Sequence, residues 1–259
     1  MIQKTWSVGL AALFLTACAV QPGDSGSGAT ASPVETEASS RARAFTDLAA
    51  AYLERAQFKT ALDELRKAIT IDNRFGPAYN IYGLVYMELA EDKLADENFR
   101  RAIELDRTDS IAHNNYGWFL CTRGRYDEGL EHFTAAIRNP LYAQPEQAMA
   151  NAGQCAERKG DLVLAEANLQ KSLKLQPDNP NTLIKLASLR FRQGQLLEAQ
   201  RLVGRHAELA PATAESLWLA VRVERKLGDR AQEAAYGLQL RKRFADSEES
   251  RKLLAGQFE

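Results

Sequence analysis

The chain has 259 residues, enough for one large core or for an array of smaller repeats. Its formal net charge is −1, which excludes a global field that would draw it to nucleic acid or to an anionic membrane surface. Three cysteines are too few for a disulfide framework.

Residues 1–17, MIQKTWSVGLAALFLTA, read as a lipoprotein signal peptide. Lys4 precedes a short apolar run from Val8 to Leu15, too short to span a bilayer and suited to a signal core. The run ends in Leu15-Thr16-Ala17-Cys18, which resembles the lipobox of bacterial lipoproteins and makes Cys18 the expected lipidation site. Ala19 follows it instead of Asp, a pattern that in enterobacterial lipoproteins goes with transport to the outer membrane. The expected place is therefore the outer membrane, lipid-anchored and facing the periplasm. Anchors of this type carry more than one acyl chain, as stable association requires. Residues 18–41 are read as the acylated cysteine and a flexible linker of Gly, Ser, Pro, Thr and acid. The 22 residues from Ala19 to Ser40 would reach roughly 25 Å.

From Ala42 onward the sequence repeats itself. Leu48-Ala49-Ala50-Ala51-Tyr52, Tyr82-Gly83-Leu84-Val85-Tyr86 and Tyr116-Gly117-Trp118-Phe119-Leu120 follow one another at 34 residues. A second column, Ala61, Ala95, Gly129, Ala165, Ala199 and Ala234, steps by 34, 34, 36, 34 and 35. Pro177 and Pro211 close two units, again 34 apart. This matches the tetratricopeptide pattern. It predicts an all-α solenoid of six helix-turn-helix units forming a right-handed superhelix, at about 42–75, 76–109, 110–145, 146–179, 180–213 and 214–245. Small residues in the column let the two helices of a unit approach, and Tyr79, Tyr86 and Phe99 fill the space between units. Gly124, Gly160, Gly194 and Gly228 fall between the helical runs, where a left-handed residue ends a helix. Residues 246–259 are expected to form a short C-terminal capping helix, with Ser247 as N-cap and Leu253, Leu254 and Phe258 over the open face of the last unit. That unit departs from the pattern, because Gly237 and Leu240 replace the expected large and small residues.

The chemistry of an enzyme is missing. The histidines His113, His132 and His206 are read as scaffold residues of separate units, without metal-ligand spacing. No phosphate loop, nucleophile elbow or His-Glu-x-x-His occurs, so no cofactor, metal or catalytic role is expected. Cys121 and Cys155 lie four and two residues after the glycines of their units, Gly117 and Gly153. That difference rotates them apart on a helix, and two free, packed thiols are expected.

The residual signal is on the other face of the first helices, which lines the concave side of such arrays. By the register that face collects Asn80, Met87, Asn114, Trp118, Cys121, Gln154, Ile184, Phe191, Trp218 and Arg222. Asn80 and Asn114 recur at one unit position, and primary amides can hold an extended peptide backbone by donating and accepting together. Trp118, Phe191 and Trp218 add apolar anchors of the kind that dominate interfaces.

The segment from His113 to Gly160 contains NNYGWFLC, then NPLY at 139–142 and NAGQC at 151–155. It resembles the type IV pilus biogenesis and stability lipoproteins, the PilF/PilW secretin pilotins. The resemblance extends over the lipobox, all six units and the long third unit. It implies an outer-membrane lipoprotein that binds the secretin subunit and promotes its localisation and multimerisation. The chain itself is expected to be a monomer. The alternative is a tetratricopeptide lipoprotein adaptor for cell-wall hydrolases or proteases, or for outer-membrane protein assembly, which would share the anchor and the repeat.

Overall fold

The computed structural model describes residues 36–258, and the expected signal peptide, Cys18 and most of the linker lie outside the described residues. Thirteen α-helices and no strand occur among the described residues. Twelve helices form six successive pairs. These are α1 (Glu37–Glu54) with α2 (Phe58–Ile71), α3 (Gly76–Glu88) with α4 (Asp92–Leu105), and α5 (Ser110–Thr122) with α6 (Tyr126–Arg138). Then come α7 (Pro145–Lys159) with α8 (Leu162–Leu175), α9 (Pro180–Arg192) with α10 (Leu196–Leu209), and α11 (Ala214–Leu227) with α12 (Arg230–Arg243). A short α13 (Glu248–Leu254) follows.

Helix α1 begins four residues before the end of the expected linker. Thr36 Oγ1 accepts the Ser39 N–H at 3.0 Å, and Glu37 lies in the positive first turn. Ala42, Thr46 and Ala49, spaced for one helical face, are the buried residues that hold α1 to the chain. The local cap, not composition, sets this boundary.

Each pair crosses where its small residues meet. At α5 and α6 the backbones touch: a Cβ on Gly117 would come within 2.9 Å of the Gly129 carbonyl oxygen. A Cβ on Gly83 would fall 2.7 Å from the ring of Phe99, which is fully buried. Four residues beyond the small column stand the large side chains Leu65, Phe99, Phe133, Leu169 and Val203, all buried. In the last unit the column shifts. Ala234 is exposed, and the fourth residue of α12, equivalent to Ala199 in α10, is Glu233. Its carboxylate pairs with Arg225 at 2.7 Å and Arg230 at 2.8 Å. Gly237 then takes the place of the large residue, and Leu253 from α13 lies 3.3 Å from where its Cβ would be. The capping helix thus supplies the side chain that the last unit lacks.

Gly124, Gly160, Gly194 and Gly228 have φ of 78°, 93°, 75° and 85°, as their turn position requires. In the first two units Ala56 and Ala90 take that position, at φ 54° and 58°. The long third unit ends in a turn built by Asn139, whose amide donates to the Thr108 carbonyl at 3.1 Å while its Oδ1 accepts the Leu141 N–H at 3.0 Å.

Candidate functional site: a polar groove on the first helices

The first helices of units three to six line a hollow of about 610 Å³. Trp118 comes from α5, Asn151, Gln154 and Arg158 from α7, Ile184 and Lys185 from α9, and Glu215 from α11. Trp118 is half-buried, its ring resting on the cluster of Cys121, Cys155, Phe133 and Ala152. The Arg158 guanidinium lies 5.0 Å from the ring centroid, a cation–π contact that holds both side chains at the wall.

Amides cross from helix to helix beside this pair. Asn115 Nδ2 donates to Asn80 Oδ1 at 3.1 Å, and Asn151 Nδ2 donates to Asn114 Oδ1 at 3.1 Å. Asn151 Oδ1 in turn accepts from Lys185 Nζ at 3.3 Å. Burial pushes the Lys185 ammonium below its usual range, with Glu215 opposing the shift and Arg158 adding to it. The groove therefore combines an aromatic wall, a guanidinium, a desolvated ammonium and primary amides. Such a set can donate to the carbonyl or carboxylate oxygens of an extended segment while an apolar side chain packs on Trp118.

The expected groove residues do not share one site. Trp118, Gln154 and Ile184 line the hollow. Phe191 and Arg222 line a separate hollow of about 470 Å³ near the end of the array. Asn80 and Asn114 are 4% and 6% exposed, and their carbonyls are already engaged by Asn115 and Asn151, so they brace neighbouring helices and form no free ladder. Met87 packs on the cluster of Phe99, Tyr116, Phe119 and Leu120. Trp218 is 8% exposed beneath Phe258, with ring centroids 5.5 Å apart.

Sequence reasoning missed Asn151, Lys185 and Arg158. The signal lies one position away: Asn115, Asn151 and Lys185 form a column at steps of 36 and 34, next to that of Asn80 and Asn114.

Two further expectations are corrected. Cys121 and Cys155 are not free thiols but form a disulfide, with Cα atoms 5.7 Å apart. His113 and His132 belong to the same unit and meet, Nδ1 to Nδ1, at 2.8 Å. His206 is a packed scaffold residue as expected, its Nδ1 on the Pro180 carbonyl at 3.1 Å.

Stacked helix pairs with a polar hollow on the first helices define a tetratricopeptide-repeat protein, and tetratricopeptide-repeat profiles match residues 76–109, 98–131 and 122–180. The chain is 30% identical over 204 residues to the type IV pilus assembly protein PilF of Pseudomonas aeruginosa strain PAO1, covering 79% of this chain and 81% of PilF. Among solved structures, PilW, described as a widely conserved type IV pilus biogenesis factor, superposes with a TM-score of 0.75 at 30% identity, covering 82% of this chain and 98% of PilW. Pseudomonas aeruginosa PilF superposes with a TM-score of 0.74 at 28% identity, covering 86% and 100%. The chain belongs to this PilF/PilW family of type IV pilus biogenesis proteins, which are non-enzymatic scaffolds.

Proposed function

We propose that the protein is a pilotin: an outer-membrane lipoprotein, anchored through Cys18, that binds the secretin subunit of the type IV pilus and promotes its outer-membrane localisation and multimerisation. The observation that carries the reading is the groove of Trp118, Arg158, Asn151 and Lys185 in a chain of the pilus biogenesis family. An extended secretin segment would seat a side chain on Trp118 and its main-chain or side-chain oxygens on the cations and amides. The Cys121–Cys155 disulfide supports an oxidising compartment such as the periplasm.

The test is a pull-down with the lipidated protein from extracts of its own cells, together with a deletion strain. Enrichment of the secretin, and loss of secretin multimers on deletion, are the expected results. Normal secretin multimers without the protein, or enrichment of a cell-wall hydrolase in place of the secretin, would overturn the reading.

A further inference from the structure

Three first-helix positions of the last unit, Trp218, Arg222 and Arg225, hold a segment of the chain itself. After α13, Gly256 turns the backbone at φ 67°, with its N–H on the Leu253 carbonyl at 3.2 Å and the Gln257 N–H on the Lys252 carbonyl at 2.9 Å. This turn brings Phe258 back onto α11. Its ring stacks on Trp218 at 5.5 Å and lies 3.8 Å from the Arg225 guanidinium carbon. Its carbonyl accepts from Arg222 Nε at 3.1 Å. The Arg222 guanidinium also sits 4.5 Å from the Phe191 ring centroid, and burial lowers its pKa, so it is a desolvated cation held between the Phe191 ring and the Phe258 carbonyl.

These contacts are those of a ligand. An aromatic side chain packs against an indole and a guanidinium while a main-chain carbonyl takes a charge-assisted hydrogen bond. Between Phe258 and Phe191 there remains a hollow of about 470 Å³, lined by Arg192, Leu196 and Lys226 as well, with room for more than the tail fills. One unit earlier, Ile184, Ser188 and Phe191 occupy the positions equivalent to Trp218, Arg222 and Arg225, at steps of 34. They offer no comparable cation for a carbonyl.

We infer that the end of the first-helix face is a second binding site, for an aromatic residue of an extended partner segment, and that Phe258 is its tethered occupant, displaced when the partner binds. The inference rests on reading the first-helix face as the partner surface. Its test uses the chain's own tail as the ligand, so failure of the pilotin reading would leave it standing. A short tether presents Phe258 at millimolar effective concentration, so the site is closed to weak competitors and opens to a segment that also engages the main groove.

The probe is the blocked tetrapeptide acetyl-Ala-Gly-Gln-Phe-amide, titrated at millimolar concentration into the full chain by NMR. With Phe258→Ala, saturable shifts of the Trp218 indole N–H and the Arg222 Nε–H are expected. With the native chain the same shifts should require roughly tenfold more peptide, because the tether competes. The peptide ending in Ala should move neither signal, and Phe258→Ala with Arg222→Gln should lose the response. If Phe258→Ala does not fold, Phe258→Leu keeps an apolar cover over Trp218 without the stack. Trp218 and Arg222 signals that stay still in the Phe258 variant, or that shift equally in both proteins, would overturn the proposal.

Discussion

Cys121 on α5 and Cys155 on α7 are joined although they sit four and two residues after the glycines of their units. Neighbouring first helices meet through opposite faces, the forward face of one against the rear face of the next. Two short side chains can meet at the centre of that contact when they are about half a turn out of register, and two residues rotate a helix face by roughly 200°. The offset read as separating the thiols is the one that brings them together. Alkylation of the unreduced, denatured protein should leave both cysteines unmodified, as peptide mass spectrometry would show. The bridge closes a sequence separation of 34 residues. Replacing both by serine should cost about 3–4 kcal/mol in chemical denaturation, if restriction of the unfolded chain dominates.

Ala56 and Ala90 hold the left-handed turn that four other units give to glycine. An L residue there carries a steric cost that glycine does not, partly offset by the greater freedom of glycine in the unfolded chain. Ala90→Gly and Ala56→Gly should each stabilise the protein by about 0.5–1 kcal/mol, read as a higher denaturation midpoint with an unchanged slope.

The array was legible because spacing alone encodes it. The 34-residue step located the helix pairs, the small crossing residues and the turn glycines. The site was less legible, because a column says which side a residue faces but not what already occupies it. Asn80 and Asn114 face the next helix, whose amides reach back to them. Trp218 lies on the first-helix face, yet a residue forty positions later covers it. Ala234 failed as a column member because a 35-residue step was accepted where the helix start demanded Glu233.

Trp118 and Asn114 should separate binding from folding. Trp118 is half-buried at the groove wall, so Trp118→Ala should cost only about 1–2 kcal/mol of stability while weakening binding of the proposed secretin partner tenfold or more, the ~2 kcal/mol typical of an aromatic hot spot. Asn114 is buried and bonded to Asn151, which also positions Lys185. Asn114→Ala should cost about 0.5–1.5 kcal/mol of stability, by removing a buried amide and its bond to Asn151. Thermal melts and binding isotherms on both variants decide this. A large loss of stability in Trp118→Ala would return that residue to the scaffold.

His132 should make stability fall in mild acid. His113 Nε2 lies 3.1 Å from the Arg107 carbonyl, which can only accept, so this nitrogen carries the proton. With that proton on Nε2, His113 offers a lone pair at Nδ1, and His132 Nδ1 donates to it at 2.8 Å. Burial first, and then His113, hold the His132 pKa down at about 4, with Glu128 opposing the shift. An unfolded histidine titrates near 6.5. Between those two values the unfolded chain takes up a proton that the folded chain refuses. The contribution is therefore fully present above pH ~6.5, declines as the pH falls, and is exhausted below about 4. His132→Gln removes the titrating group. The native chain should lose more of its melting temperature than this variant between pH 7 and pH 5, a window above the ordinary carboxylate range of ~4. Parallel melting curves across that window would show that His132 does not resist protonation.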